Sequence, residues 1–214
     1  MITTATIGYP RIGPKRELKK ALESFWKGDI KENELQSTAK DLRKKNWEIQ
    51  KENGIDLITS NDFSFYDQVL DTICLLGAVP DRYNWQGDNV DLKTYFAMAR
   101  GSQTKELDVS ALEMTKWFDT NYHYLVPELK SDQKFKISSQ KPFEEFKEAQ
   151  SAGYKTKPVL LGPITFLLLS KSTEGKNTLD LLNNLLPVYL EIVKKLNDLG
   201  ADWIQIDEPI FVKD

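Results

Sequence analysis

Cysteine and histidine are almost absent from this sequence: Cys74 is the single cysteine and His123 the single histidine among 214 residues. One cysteine excludes a disulfide within the chain and any zinc site built from two or more thiolates. A chain without disulfides suits a reducing compartment, so a cytoplasmic location is expected. The sequence therefore predicts neither a disulfide framework nor a metal site made by this chain's own residues.

Long apolar runs and an excess of basic residues are also lacking. The most apolar stretch, at 159–169, contains Gly162 and Pro163 and is shorter than the roughly 18 residues that a membrane span needs. The first residues, MITTATIGYPRIG, lack the charged and apolar regions of a signal peptide. With 29 Lys and Arg against 32 Asp and Glu, the net charge is −3, which excludes a generally basic nucleic-acid binder. We expect neither a membrane nor a nucleic-acid partner.

What the sequence contains is an alternation of β-rich runs with helical patterns that end at glycine. Such alternation predicts an α/β fold with a parallel sheet and outer helices. An open doubly wound sheet and a (β/α)8 barrel of the TIM type both fit. No linker divides the chain, so one domain over residues 1–214 is expected. The predicted parallel strands, adjacent in chain order, are residues 4–8, 56–59, 114–118, 159–161 and 203–207.

The first predicted helix carries cations where a helix disfavours them. Pro14 suits its first position, which places Lys15, Arg16 and Lys19 in the first turns with only Glu17 to compensate. Because the helix start is already positively polarised, each cation costs about 0.3–1 kcal/mol there. An anionic ligand such as a carboxylate or phosphate would reverse the sign of this effect. A solvated polar face explains the same pattern without a ligand.

Polar residues follow each predicted strand, where α/β folds bind ligands. Asp207 and Glu208 are neighbours on a strand and face opposite ways, so they do not form an acid–base pair. One of them could act as a base or a substrate anchor, or could bond a neighbouring loop. His123, among aromatic residues, could move protons, contact a ligand or simply be hydrogen-bonded in its loop.

Segments spread over almost the whole chain resemble one family, the cobalamin-independent methionine synthases, which are 5-methyltetrahydropteroyltriglutamate–homocysteine methyltransferases. They occur in the family's order and spacing. The segments are GYPRIGPKRELKKALESFWKG, SNDFSFYDQVLD, ALEMTKWFDTNYHYLVPE, KPVLLGPITFL and IQIDEP.

The resemblance implies an architecture of two face-to-face (β/α)8 barrels. This chain corresponds to about the first five strand–helix units of the amino-terminal, folate-side barrel. The zinc ion that activates homocysteine, together with its ligands, belongs to the carboxy-terminal barrel, which these residues do not include. No catalytic residue and no metal ligand is therefore expected here. The chain alone is expected to be inactive, and to associate with the missing part or with itself because a partial barrel leaves strand edges unpaired.

The resemblance also implies which residues contact the substrate. The family's segment for the folate polyglutamate falls on Arg16, Glu17, Leu18 and Lys19. A further folate contact falls on Lys116, and Asn121 resembles a contact on the pterin side. A triglutamate tail carries several carboxylates, which would compensate the charge of the unfavourable cations at the helix start.

Other functions stay open. The chain could be a non-catalytic piece that binds a folate tail or serves a structural role. A barrel like that of uroporphyrinogen decarboxylase predicts an aspartate and arginines about the barrel axis, and the GYPRIG and DTNYHY segments argue against it. A hydrolase using Asp207 or Glu208 lacks a second facing carboxylate.

Overall fold

The structure is a computed structural model that describes residues 2–213. The chain forms two compact units, and each is described by itself. The first comprises the described residues up to Phe65 together with Pro142–Val159 and Ala201–Gln205. The second comprises Tyr66–Lys141, Leu160–Gly200 and the described residues from Ile206 onward.

Helices and short strands alternate along the chain. The α-helices are α1 Glu17–Lys27, α2 Glu32–Glu52, α3 Gln68–Leu75, α4 Leu92–Arg100, α5 Lys141–Ser151, α6 Pro163–Leu168 and α7 Leu182–Asp198. The strands are β1 Ile58–Ser60, β2 Ser102–Gln103, β3 Asp108–Val109, β4 Met114–Lys116, β5 His123–Leu125, β6 Glu128–Leu129, β7 Thr156–Leu161, β8 Lys171–Ser172 and β9 Gln205–Asp207. None of the helices described is long and apolar enough to cross a membrane.

The principal sheet confirms the predicted α/β class. Its strand order is β1-β7-β9, and β1 pairs with β7 in parallel, Ile58 opposite Thr156. The predicted strand at 4–8 is reduced to one parallel bridge between Ala5 and Leu57. The Asp56 carboxylate accepts hydrogen bonds from the backbone N–H and from the hydroxyl of Thr4, at 2.8 and 2.9 Å. Thr4 is therefore held by a side chain as well as by backbone pairing.

The predicted third strand, at 114–118, does not join this sheet, and the prediction of a parallel neighbour was wrong. β4 instead pairs antiparallel with β5, so that Lys116 stands opposite His123. Only residues 117–122 separate the two strands, which suits a hairpin, whereas a parallel return needs a crossover of a dozen residues or more. The described sheets thus make a mixed α/β fold, in which the further pairing of β6 with β8 is parallel.

Two helix predictions also need correction. α1 begins at Glu17 rather than Pro14. Arg16 adopts a left-handed conformation with φ 61°, so the right-handed helix cannot include it. Pro187 inside a helical pattern predicts a kink or a break, but α7 is one helix through this residue, so the break is not observed. Pro187 is near the start of α7, and it follows a 3-10 turn at Thr178–Leu181.

The core of the first unit is centred on Trp47 of α2. Its ring packs with Ile58 and Ala149, all nearly inaccessible to solvent, and Ile55 and Tyr154 border the cluster. The indole N–H donates to the Thr59 carbonyl at 3.0 Å, so the buried ring keeps its polar atom paired. This packing fixes α2 against β1 and therefore also fixes the surface of α2 on which α1 packs.

In the second unit, α3 fixes the hairpin formed by β4 and β5, which we call the β4–β5 hairpin. Asp67 begins the helix by accepting from the N–H groups of Val69 and Leu70 at 2.8 and 2.9 Å. Its other carboxylate oxygen accepts from the Leu125 N–H in β5 at 3.3 Å. Leu125 is fully buried, so the hairpin is anchored at one end while His123 reaches solvent.

Candidate functional site

A tight turn precedes α1 and presents Arg16 to solvent. The Arg16 N–H donates to the Gly13 carbonyl at 3.1 Å, and the Leu18 N–H donates to the Ile12 carbonyl at 3.2 Å. Leu18 is fully buried, whereas Arg16 and Lys19 are exposed on either side of it. The segment 16–19 is therefore anchored by its leucine and turns its two cations outward.

Glu17 closes this turn. Its Oε2 atom accepts from the backbone N–H of Lys15 at 2.9 Å. The pKa of the Glu17 carboxyl is lowered, chiefly by its own backbone N–H; partial desolvation opposes this, and the Lys15 N–H and the charges of Lys45 and Lys15 add to it. Lys45 comes from α2, one turn beyond Leu42, and it extends the basic surface beside the turn.

The cations of this surface have few carboxylate partners. Lys19 makes one ion pair, with Glu23 at 3.7 Å, between two half-exposed side chains. Such a surface pair is worth at most about 1 kcal/mol and is screened by salt. Within residues 2–213, Lys15, Arg16 and Lys45 are not among the residues that form ion pairs. The start of α1 therefore offers an exposed positive surface to an anion.

The β4–β5 hairpin holds the other residues that the resemblance implied. Lys116 and His123 form a cross-strand pair, and both are exposed. Asn121 is exposed in the connection, where the Trp117 N–H donates to the Tyr122 carbonyl at 2.8 Å. Trp117 also packs edge-on against Tyr124, with ring centroids 5.8 Å apart. This edge-to-face contact lies beneath the exposed polar tip of the hairpin.

The implied site residues thus form two groups. Arg16, Glu17, Leu18 and Lys19 are contiguous in the first unit, whereas Lys116 and Asn121 belong to the second. Within each group the residues share one local element, α1 with its preceding turn or the β4–β5 hairpin.

The polar residues after the strands serve the fold. Glu208 accepts from the N–H groups of Ile164 and Thr165 at the start of α6, at 3.0 and 2.7 Å. The Asp207 carbonyl accepts from the Gly162 N–H at 2.8 Å. The two hydrogen bonds of the Glu208 carboxylate support a structural role for this residue.

Asp62 serves the loop that leads to α1. One of its carboxylate oxygens accepts from the Tyr9 N–H at 2.8 Å and from the Thr59 hydroxyl at 2.6 Å. The contacts connect the end of β1 to the segment before the turn. The sequence places Asp62 after the predicted strand at 56–59 but does not predict its hydrogen bond with the Tyr9 N–H.

Sequence reasoning also missed Lys45 and Asp67. Lys45 lies on α2, distant in sequence from α1, and nothing local connects the two. Asp67 could have been found, because an aspartate directly before an apolar helical run is a typical first cap. The run FSFYDQVLDTICLLG favours a helix that begins at residue 63, and this earlier start conceals the signal at Asp67.

A cavity of about 420 Å³ in the second unit offers little to a ligand. Four of its charged side chains pair with one another: Arg82 Nη2 donates to Glu128 Oε1 at 2.8 Å, and Lys130 bonds Asp81. Among residues 2–213 no group of three or more His, Cys, Asp or Glu side chains could hold a metal ion. The two groups on α1 and the hairpin remain the candidate ligand surfaces.

Known proteins similar to this chain agree on one family. The model of the family described as "Cobalamin-independent synthase, N-terminal domain" matches residues 3–214. A 5-methyltetrahydropteroyltriglutamate–homocysteine methyltransferase of Xylella fastidiosa (strain M23) is 55% identical over 214 residues, which are 100% of this chain and 28% of that protein.

Proteins of the same name in other bacteria are equally similar. That of Salinibacter ruber is 52% identical over 220 residues, covering 100% of this chain and 29% of its own length. That of Flavobacterium johnsoniae is 57% identical over 208 residues, covering 96% of this chain and 27% of its own length. The chain therefore spans little more than a quarter of the curated relatives that it matches.

Proposed function

Because the chain belongs to the cobalamin-independent synthase family, whose N-terminal domain it matches over residues 3–214, we propose that it serves methyl transfer from 5-methyltetrahydropteroyltriglutamate to homocysteine. The printed names of its relatives state these two substrates. The product of that transfer is methionine. The chain's share of this work is to bind and orient the methyl donor.

The polyglutamate tail binds at the start of α1. One observation carries this assignment: Arg16 is exposed beside a positively polarised helix start and, among residues 2–213, has no ion pair. Lys19 adds a second cation, since its pair with Glu23 is weak enough to exchange for a ligand. Guanidinium and ammonium groups form charge-assisted hydrogen bonds with carboxylates. Glu17 and Leu18 belong to the same segment and shape it.

Lys116 and Asn121 contact the folate from the β4–β5 hairpin. Both side chains are exposed at the end of the hairpin that is remote from the buried Leu125. A cation and an amide suit the polar edge of a pterin or its linked benzoyl-glutamate, because they can donate to its oxygen and nitrogen acceptors. Holding the donor in one orientation lowers the entropic part of the barrier.

The rest of the enzyme carries the chemistry. We place this chain as the first strand–helix units of an amino-terminal (β/α)8 barrel in a cytoplasmic enzyme. Zinc and homocysteine bind to a carboxy-terminal barrel outside these residues. The described residues do not fit a zinc site, so no step in this chain passes through the metal. When bound, zinc supplies a deprotonated thiol, since a coordinating thiol loses its proton.

Methyl transfer by the full-length protein tests this proposal. With zinc and homocysteine present, we expect methionine from the triglutamyl donor and much less from the monoglutamyl donor at equal, subsaturating concentration. The 214-residue chain alone is the matched control and should form no methionine. A full-length protein that forms none from either donor would contradict the proposal. Binding of triglutamyl methylfolate by an inactive full-length protein would instead favour a non-catalytic folate-binding function.

A further inference from the structure

Glu17 lies in the middle of the candidate tail-binding segment, and its carboxylate bonds the backbone of the preceding turn. Oε2 accepts from the Lys15 N–H at 2.9 Å, inside the turn that precedes α1. The same turn contains the bond from the Arg16 N–H to the Gly13 carbonyl, at 3.1 Å. The turn at residues 13–16 is therefore closed by one backbone hydrogen bond and by one hydrogen bond to the Glu17 carboxylate.

Gly13 makes room for that carboxylate. A Cβ at this position would lie 2.3 Å from Glu17 Oε2, a distance that real Cβ atoms do not show, and 3.1 Å from the Glu17 Cδ atom. It would also lie 2.9 Å from Leu42 Cδ2, the movable end of a side chain. Gly13 has φ +80°, so an added side chain would be strained as well. The absence of a side chain at 13 is thus a requirement of the Glu17 position.

The charge of Glu17 works against a direct role in binding the tail. A glutamate tail presents carboxylates, and two carboxylates at close range repel each other. Glu17 nevertheless lies between the exposed cations Arg16 and Lys19, which are suited to that tail. Glu17 therefore contributes to tail binding through the backbone turn that its carboxylate bonds.

We infer that Glu17 is a positioning residue for the tail-binding segment: over the bare Gly13, it fastens the turn that fixes Arg16 in its left-handed conformation. The inference rests on the proposed function for its ligand, but not for its geometry. Arg16 has φ 61° and ψ 36°, a conformation unfavourable for a residue with a side chain. Without the Glu17 contact the turn can relax, and the Arg16 guanidinium then samples many positions.

Substitutions can separate the hydrogen bond from the charge. Glu17→Gln keeps a side-chain oxygen that accepts from the Lys15 N–H and removes the charge. Glu17→Ala removes both. Gly13→Ala keeps Glu17 and displaces its carboxylate. Gly28→Ala is the matched control, because Gly28 has φ +82° at the other end of α1 and no atom within 4 Å of an added Cβ.

The experiment measures two quantities in the full-length protein. The first is the Kd of triglutamyl and of monoglutamyl 5-methyltetrahydrofolate; the second is hydrogen exchange of the Lys15 amide without ligand. Loss of a hydrogen bond of about 1 kcal/mol predicts roughly fivefold weaker triglutamate binding in Glu17→Ala and Gly13→Ala, with faster Lys15 exchange. Monoglutamate binding should stay within about twofold, and Gly28→Ala should behave like the wild type. Glu17→Gln should keep the wild-type Lys15 exchange and should bind triglutamate at least as tightly as the wild type, because it keeps the hydrogen bond and loses only the repulsion.

Opposite results would overturn the inference. If Glu17→Gln weakens triglutamate binding as much as Glu17→Ala, the charge rather than the hydrogen bond matters. If Lys15 exchange is unchanged in Glu17→Ala, the carboxylate does not hold the turn. If Gly13→Ala fails to fold, the two Glu17 variants still decide. A wild-type protein that does not prefer triglutamate contradicts the proposed function, and the exchange rates then decide the role of Glu17 separately.

Discussion

Glu208 acquires a defined role from its position opposite the start of α6. Its two carboxylate oxygens accept from Ile164 and Thr165, in the manner of a helix cap supplied from elsewhere in the chain. Gly162 permits the approach, because a Cβ there would lie 2.1 Å from Glu208 Cδ. A side chain at the end of one strand thus stabilises the helix that follows another.

Glu208→Ala should therefore destabilise the protein. Loss of an acceptor for two helix N–H groups predicts a decrease of about 1 kcal/mol in the free energy of unfolding. Urea denaturation measures this change. Glu52→Ala is the control: Glu52 is exposed at the last turn of α2, and its replacement should change stability by less than about 0.5 kcal/mol. Equal stabilities of the two variants would contradict the capping role.

Asp67 predicts a pH dependence of stability. Burial raises the pKa of its carboxyl from 3.8 to about 7; the N–H of Leu70 opposes this, the nearby Asp71 charge adds to it, and the N–H groups of Leu125 and Val69 oppose it. Between about pH 4 and pH 7 the folded protein thus keeps a proton that the unfolded chain releases. The stability that this group contributes is present at low pH and is lost as the pH rises through 7.

Asp67→Asn removes that titration. The free energy of unfolding of the wild type, relative to the variant, should fall by roughly 2 kcal/mol between about pH 5 and pH 8. Chemical denaturation at several pH values measures the two profiles, and titrating groups that do not interact with Asp67 contribute equally to both. Parallel profiles would show that Asp67 does not titrate in this range.

The sequence predicts residue roles best where the signal is local. Cations at a helix start pointed correctly to an exposed basic surface, although the helix begins three residues later than expected, at Glu17. The contacts of Glu208 with α6 and of Asp62 with Tyr9 join residues more than 40 positions apart. No spacing rule along the chain contains such pairs, because only the folded sheet brings them together.

Among the elements, the long helix α2 was predicted well and the third strand was not. Leu35, Ala39 and Leu42, on one side of the segment 33–54, predict a helix there, and α2 spans Glu32–Glu52. The segment at 114–118 has strand propensity, but propensity does not specify a partner. The second strand of its hairpin, His123–Leu125, was interpreted as part of a polar loop, so the antiparallel partner was overlooked.

The β4–β5 hairpin provides a test of folate contact that is separate from the tail. Lys116→Ala should weaken binding of triglutamyl and monoglutamyl methylfolate by the same factor, about twofold to fivefold, because its contact does not involve the added glutamates. Calorimetric titration of the full-length protein measures both constants. Lys105→Ala, at an exposed lysine of the connection between β2 and β3, is the matched control. An effect confined to triglutamate would assign Lys116 to the tail instead.

At the scale of the whole molecule, the edge strand β9 favours association. β9 ends the sheet order β1-β7-β9, and Ile206 within it is 47% exposed, followed by Phe211 at 70%. Exposed apolar residues beside an unpaired edge promote pairing with another chain. We predict that the 214-residue chain self-associates as its concentration rises. Light scattering that gives a constant mass of 24.6 kDa over that range would contradict this prediction.

We propose that the start of α1 binds the polyglutamate tail, so the quantity to measure is the Kd of triglutamyl methylfolate compared with that of monoglutamyl methylfolate. In the full-length protein, Arg16→Ala with Lys19→Ala should weaken triglutamyl methylfolate about tenfold or more at low salt, and less at high salt, since each charge-assisted bond is worth about 1 kcal/mol when exposed. Lys27→Ala, at the other end of α1, is the control. We predict little change in monoglutamate binding. Equal weakening of both ligands, or of neither, would contradict the tail-binding assignment and leave a solvated polar face.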